Sequence, residues 1–294
     1  MRLSRATLTL ALMLVASPAA AAQIDVLASF SILGDLVKQV GGERVAVTTI
    51  VGPDADTHVY EPKPSDAVAL AKADLFVING LGFEGWMERL VESTGYAGRV
   101  TVATDGIATH EMDEDGETVT DPHVWQSLKN GVLYVRNIAN GLCAVDAAGC
   151  ESYAANAAAY AAQLTALDVA VTARIAAIPQ ERRKVITTHD AFGYFGLAYG
   201  VTFLAPEGIS TDAEPSAADV AKLITQIKAA GVTALFIENM SDGRLVEQIA
   251  AETGAALGGE LYADALSGPE GPAATYLEMF RHNVELLIPA MGGT

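Results

Sequence analysis

Three observations predict an α/β chain of two lobes of like class, each built on a mostly parallel sheet covered by helices. Over residues 23–142 short apolar runs alternate with segments of helical spacing, and the alternation resumes over residues 180–294. Parallel strands joined through helices produce that pattern. Between the two stretches, Glu151 to Ile178 has no Gly or Pro and is rich in Ala, with Leu164, Leu167, Val171 and Ile175 spaced by three and four. A continuous helix of that length reaches about 42 Å at 1.5 Å per residue. It is expected to run from one lobe to the other within a connecting segment, residues 143–179.

In the first lobe, Val26–Ala28 and Val45–Val51 read as short buried strands around a helix at Ile32–Val40. The loop Gly52 to His58 leads to a helix at Ser65–Lys72 with Ser65 as N-cap, then to a strand at Leu75–Asn79. A helix at Trp86–Ser93 and a strand at Val100–Ala103 follow. Pro179 ends the long helix. The second lobe then reads strand (Val185–Thr188), helix (Ala217–Ala229), strand (Ala234–Glu238), helix (Arg244–Thr253), strand (Leu257–Tyr262) and closing helix (Thr275–Leu287). Its cluster of helix breakers, Pro206 to Pro215, is a loop near the expected cleft.

The N-terminus carries Arg2 and Arg5, an apolar run from Ala6 to Ala16 and a small-residue end at Ala20-Ala21-Ala22. This is an export signal, expected to be cleaved between Ala22 and Gln23. The run is shorter than the roughly 20 residues that span a bilayer, and no Cys stands near the cleavage point to take a lipid. A soluble periplasmic protein is expected. In an oxidising compartment the two cysteines, Cys143 and Cys150, are expected to pair, which contributes on the order of 2 to 3 kcal/mol through the small loop they close. The formal net charge is −18, and −20 without the two signal arginines. That excludes a nucleic-acid partner, whose phosphates demand a basic surface, whereas an acidic surface draws cations in.

In open parallel sheets ligands bind beyond the carboxyl ends of the strands. His58 follows the strand ending at Val51, His189 follows Val185–Thr188, and Asp264 follows Leu257–Tyr262. His123 belongs to Asp121-Pro122-His123-Val124-Trp125-Gln126, where Pro restricts the backbone and Trp buries the turn. Two candidates come from each half, which puts a site between the lobes. Three neutral imidazoles and one carboxylate form a four-coordinate set suited to Zn²⁺; manganese is expected to take more oxygen ligands. Glu61 and Asp190 adjoin ligands and are either hydrogen-bond acceptors for ligating imidazoles or surface and capping carboxylates.

Several stretches carry a resemblance: Thr57-His58-Val59-Tyr60-Glu61-Pro62-Lys63-Pro64-Ser65-Asp66, Asp121 to Trp125, Thr188-His189-Asp190-Ala191-Phe192-Gly193-Tyr194-Phe195, Glu214-Pro215-Ser216 and Thr275-Tyr276-Leu277. Together they resemble the metal-binding solute-binding proteins of ABC transporters, the ZnuA/TroA-like group, over nearly the whole mature chain. The resemblance implies two Rossmann-like lobes joined by one long helix, a cation in the cleft held by His58, His123, His189 and Asp264, and delivery to a membrane permease, with a periplasmic metallochaperone as a further partner. It implies a monomer and no enzymatic activity. Manganese binders of the group commonly have Glu at the third position, so His189 favours zinc. Many zinc members carry a long His-rich loop before the second ligand; here it is His110-Glu111-Met112-Asp113-Glu114-Asp115-Gly116-Glu117, with one histidine. That resembles the short-loop zinc binders of the AztC type and leaves the loop either metal-gathering or simply solvated.

The remaining signals are weaker. Gly80-Leu81-Gly82-Phe83-Glu84-Gly85 fits a dinucleotide-binding pattern, yet Glu84 would face a pyrophosphate, so a tight turn is expected instead. His282 is expected to face solvent from the last helix. The alternatives to a zinc carrier are a manganese-binding member of the same group, from another class an exported zinc hydrolase, and third an adhesin built on the same fold. The hydrolase needs an open coordination position and a general base, and the chain has neither H-E-x-x-H nor G-x-S-x-G.

Overall fold

The computed structural model describes residues 23–114, 117–212, 215–232 and 234–292. The export signal at 1–22, Asp115 and Gly116 of the acidic loop, and Glu214 of the Glu214-Pro215-Ser216 motif lie outside the described residues. The first half runs β1 (Ile24–Phe30), α1 (Ser31–Gly41), β2 (Val45–Val51), α2 (Pro64–Lys72), β3 (Leu75–Ile78), α3 (Met87–Thr94) and β4 (Arg99–Val102). A hairpin of β5 (Glu111–Glu114) and β6 (Glu117–Thr120) leads to α4 (Leu128–Val145) and α5 (Cys150–Ala176). The second half runs β7 (Lys184–Ile186), α6 (Gly193–Tyr199), β8 (Thr202–Leu204), α7 (Ala217–Ala230), β9 (Ala234–Glu238), α8 (Arg244–Thr253), β10 (Ala256–Leu261) and α9 (Tyr276–Ala290).

Two parallel four-stranded sheets result, in the orders β2-β1-β3-β4 and β10-β9-β7-β8, with the antiparallel hairpin β5-β6 apart from both. Parallel neighbours require crossover connections, which the intervening helices supply. The expected α/β class is thus observed. Among the described residues no helix is long and apolar enough to cross a membrane.

Helix α5 is 27 residues long and buries one stripe, Tyr153, Ala157, Tyr160, Leu164, Asp168, Val171 and Ile175, the spacing of a single helix face. Near its start Asn156 donates to the carbonyl of Val40 at 3.0 Å, on α1. Further along, the buried Asp168 accepts from Tyr199 at 3.0 Å, at the end of α6. One helix therefore touches both halves. The Cys143–Cys150 disulfide joins the end of α4 to the first residue of α5.

Helix α2 is capped two residues before the expected Ser65, with Lys63 at the N-cap and Pro64 in the first turn. Proline is pre-organised for that position, and Asp66 accepts the Lys63 N–H at 2.7 Å. His282 is half-buried instead of solvent-facing: its Nε2 lies 2.9 Å from the Glu260 carbonyl and its ring meets Tyr262 edge-on. It fastens α9 to β10.

A large apolar cluster extends from Val26 on β1 to Met291 after α9 and includes the inner faces of both sheets. A second, smaller cluster holds Ile186, Leu223, Ile227, Val232, Leu235, Val246, Ile249 and Ala250. Consecutive strand residues are shared between them, Val185 and Phe236 in the first, Ile186 and Leu235 in the second. Alternation of side chains across a strand makes the second sheet the wall between the two.

Candidate metal centre

Four side chains from distant parts of the chain converge where the two sheets face each other. His58 lies on the loop after β2, His123 just before a 3-10 turn at Val124–Gln126, His189 three residues after β7, and Asp264 three residues after β10. The Asp264 Oδ2 is 3.2 Å from His58 Nε2, 3.1 Å from His189 Nε2 and 3.7 Å from His123 Nε2. The Nε2 atoms of His58 and His123 are 3.3 Å apart. One donor atom from each residue lies within 4.8 Å of all the others, and among the described residues no other His, Cys, Asp and Glu group does so. His189 Nε2 makes no hydrogen bond despite its nearness to Asp264, and Asp264 Oδ1 is likewise buried without one. Buried polar atoms are normally paired, so both orphans fit a cation as the missing partner.

Two further carboxylates hold the rings from behind. Asp121 Oδ1 takes the Nδ1 of His123 at 2.8 Å and its backbone N–H at 2.9 Å. Glu238, the last residue of β9, meets Nδ1 of His189 through Oε2 and accepts the backbone N–H groups of Thr188 and His189 through Oε1, at 2.9 and 3.1 Å. A carboxylate on Nδ1 fixes the tautomer that leaves the Nε2 lone pair facing the site, and it raises ligand basicity. Of the two roles open to Glu61 and Asp190, the structure gives neither a hydrogen bond to a ligand ring. Glu61 is exposed on the way to α2, and Asp190 spends its backbone N–H on the Gly208 carbonyl at 3.0 Å. Asp190 is mostly buried; burial and then the charge of Asp121 raise its pKa.

The sequence contains signals for both missed residues. Asp121 stands two positions before His123, and Glu238 ends the otherwise apolar run Ala234-Leu235-Phe236-Ile237. An acid closing a buried strand is costly unless it has a partner, which makes Glu238 conspicuous in retrospect.

Burial opposes charge on His123, but Asp264 and Asp121 outweigh it and raise its pKa to about 9. Burial likewise opposes charge on His189, and Glu238 and Asp264 raise its pKa well above the ordinary value. Burial would push the Asp264 carboxyl up, yet His123 and His189 hold it well below the usual range. The pocket thus favours positive charge, and a divalent cation replaces the ring protons that would otherwise supply it.

The walls are aromatic. Phe83 packs edge-on against His58 at 4.8 Å and Trp125 at 4.7 Å between ring centres. Trp125 in turn lies against His123 at 5.3 Å. Trp125 Nε1 and Gln126 Nε2 both donate to the carbonyl of Ala263, each at 2.8 Å, and Tyr276 donates to the Trp125 carbonyl. The Asp121–Gln126 stretch is therefore fixed to the residue preceding Asp264, on the other half of the molecule. Residues 80–82 form the expected tight turn, with φ of 85°, 58° and 82° at Gly80, Leu81 and Gly82. Glu84 accepts the N–H groups of Asn79 and Gly80 at 2.6 and 3.1 Å, donors that a phosphate would need. His110 stays outside the four-residue cluster, its ring 6.1 Å from that of Tyr194.

Comparison with known proteins identifies the family. The chain is 34% identical over 268 residues to the manganese-binding lipoprotein MntA of Halalkalibacterium halodurans, covering 91% of this chain and 88% of that protein. It is 32% identical over 273 residues to the iron-binding protein YfeA of Yersinia pestis, covering 92% and 88%. The solved structure of the periplasmic zinc binding protein TroA from Treponema pallidum superposes with a TM-score of 0.86 at 29% identity, over 92% of this chain and 99% of that one. Residues 26–290 match the family model described as ZnuA, zinc-uptake complex component A periplasmic, and the chain belongs to this family of metal-binding solute-binding proteins of ABC transporters.

Proposed function

We propose that the protein captures Zn²⁺ in the periplasm, between lobes formed by residues 23–142 and 180–294, and delivers it to an ABC-transporter permease. The carrying observation is the convergence of three imidazole Nε2 atoms and one carboxylate within 4.8 Å in a buried pocket. Four protein donors complete a tetrahedral zinc site and leave no position for a reacting water, which argues against an exported hydrolase. In this reading His58, His123, His189 and Asp264 are the ligands, with Asp121 and Glu238 orienting two of them. Nitrogen ligands at three of four positions favour zinc over manganese, which prefers oxygen. Relatives named for manganese, iron and zinc share the fold, so metal choice rests on this donor set. The short acidic hairpin fits a zinc carrier of the AztC type, which would receive metal from a metallochaperone.

Competitive titration of chelator-treated protein with Zn²⁺ against Mn²⁺, with bound metal counted by elemental analysis, tests the reading. One Zn²⁺ per chain, not displaced by excess Mn²⁺, is expected. Preferential retention of Mn²⁺ would overturn the argument from the nitrogen donors.

A further inference from the structure

The loop that carries His58 is fastened to both halves of the molecule. On its own side Trp86 Nε1 donates to the Thr57 carbonyl at 3.0 Å. Toward the other half, the Asp54 N–H donates to the Leu266 carbonyl at 3.0 Å. The Asp54 carboxylate accepts from Asn239 Nδ2 at 3.0 Å and from the Gly268 N–H at 3.3 Å. Asp56 continues the arrangement, accepting the His58 N–H at 2.8 Å and the Thr211 hydroxyl at 2.6 Å.

The partners of Asp54 are placed pointedly. Asn239 directly follows Glu238, which backs His189, and Leu266 and Gly268 lie just beyond Asp264. Asp54 itself has φ of 52°, a left-handed conformation uncommon outside glycine and most tolerated by Asn and Asp. Three bonds to the other half, one from its backbone N–H and two to its exposed carboxylate, hold it there. His58 is also the one ligand that solvent reaches, its side chain 5% exposed against 0% for the other three.

We propose that Asp54 is a positioning residue for His58: it ties the His58 loop to the 239 and 266–268 segments, so that His58 stays on the cation only while the two halves are engaged. Separation of the halves then withdraws His58 first and sets the rate of metal release. This rests on the reading of His58 as a zinc ligand.

The test measures Zn²⁺ dissociation into excess chelator and association by stopped flow, in wild type, Asp54→Ala, Asp54→Asn, His58→Ala and the Asp54→Ala/His58→Ala double variant. Loss of charge-assisted bonds is expected to speed dissociation of Asp54→Ala about tenfold, with association changed less than about twofold. Asp54→Asn keeps one acceptor oxygen and is expected to fall between. In the His58→Ala background Asp54→Ala is expected to change nothing, because it acts through that residue. The Co²⁺ spectrum of saturated Asp54→Ala is expected to stay tetrahedral, which a collapsed site would not give. Dissociation within twofold of wild type, or equal acceleration with and without His58, overturns the proposal. Unchanged affinity in His58→Ala alone would instead overturn the ligand assignment, and this inference with it.

Discussion

The floor and the rim of the metal centre are built differently. His123, His189 and Asp264 are fully buried, and both floor imidazoles rest on carboxylates that also hold backbone N–H groups. His58 stands at the rim on an irregular loop, whose Asp54 and Asp56 carboxylates accept hydrogen bonds from Asn239, Gly268 and Thr211 of the opposite half. The floor is pre-organised, so its geometry is set before metal arrives. The rim, on the proposal made above, is adjustable. A carrier that must bind tightly and still surrender its cargo needs both, since tight binding by four rigid ligands would make release slow.

The largest expected effect is on the floor. Asp264→Ala removes the one carboxylate of the proposed ligand set and is expected to weaken Zn²⁺ binding by on the order of 10³-fold or more, equivalent to about 4 kcal/mol, read by competition with a calibrated chelator. His58→Ala, at the rim, is expected to cost less. A greater loss at His58 than at Asp264 would reverse the comparison. Next come the residues behind the rings: Glu238→Gln and Asp121→Asn are expected to lower affinity by roughly 10- to 100-fold, and a change below twofold would show that the floor is not pre-organised by them.

A pH series sharpens the same contrast. The His123 pKa is raised to about 9 in the folded protein against an unfolded value of about 6.5. Its stabilising contribution to chelator-treated protein is therefore fully present below about pH 6.5 and lost as pH rises through about 9. Metal must displace that proton, so Zn²⁺ affinity is expected to rise across the same window while the thermal midpoint of the chelated protein falls. Parallel slopes in the two measurements would contradict this charge balance. The smallest effect is expected from Trp125→Phe, which keeps the ring contacts but loses the bond to Ala263. Gln126 still satisfies that carbonyl, so a loss of about 1 kcal/mol in stability with little change in affinity is expected, by denaturant titration and chelator competition.

The strands of both sheets except β8, and the four converging residues, are legible because strand ends and apolar runs are local signals. What the sequence hid depended on packing between distant segments. The extent of helix α4 is not legible because Gly131 and Gly141 interrupt it, along with Asn130, Asn137 and Asn140, all poor helix formers. The glycines are there for space: a Cβ at Gly131 would lie 2.9 Å from the Tyr276 ring, and one at Gly141 would lie 2.2 Å from Thr101 Oγ1. The short α6 begins at Gly193, where a Cβ would meet Asp121 Oδ2 at 2.5 Å. The hairpin β5-β6, with Glu111, Asp113, Glu114 and Glu117, reads as a solvated loop. Glu238 and Asp121 have meaning only once their imidazoles are placed against them.

The wall formed by the second sheet has a consequence for how the molecule loosens. Helices α7 and α8 are supported by a small apolar cluster of eight buried residues, on the opposite face of β7 and β9 from the large core. A layer with so little shared burial opens at a lower free energy than the whole and does so as one cooperative unit. Its amide protons would exchange with solvent while α5, α9 and the strands beneath stay protected. Because Glu238 shares its face of β9 with Ala234 and Phe236, which belong to the large core, fraying of the outer layer is expected to leave Glu238 and the His189 ring it holds in register. On the proposed function, breathing of the outer layer and surrender of the cation would be separate events.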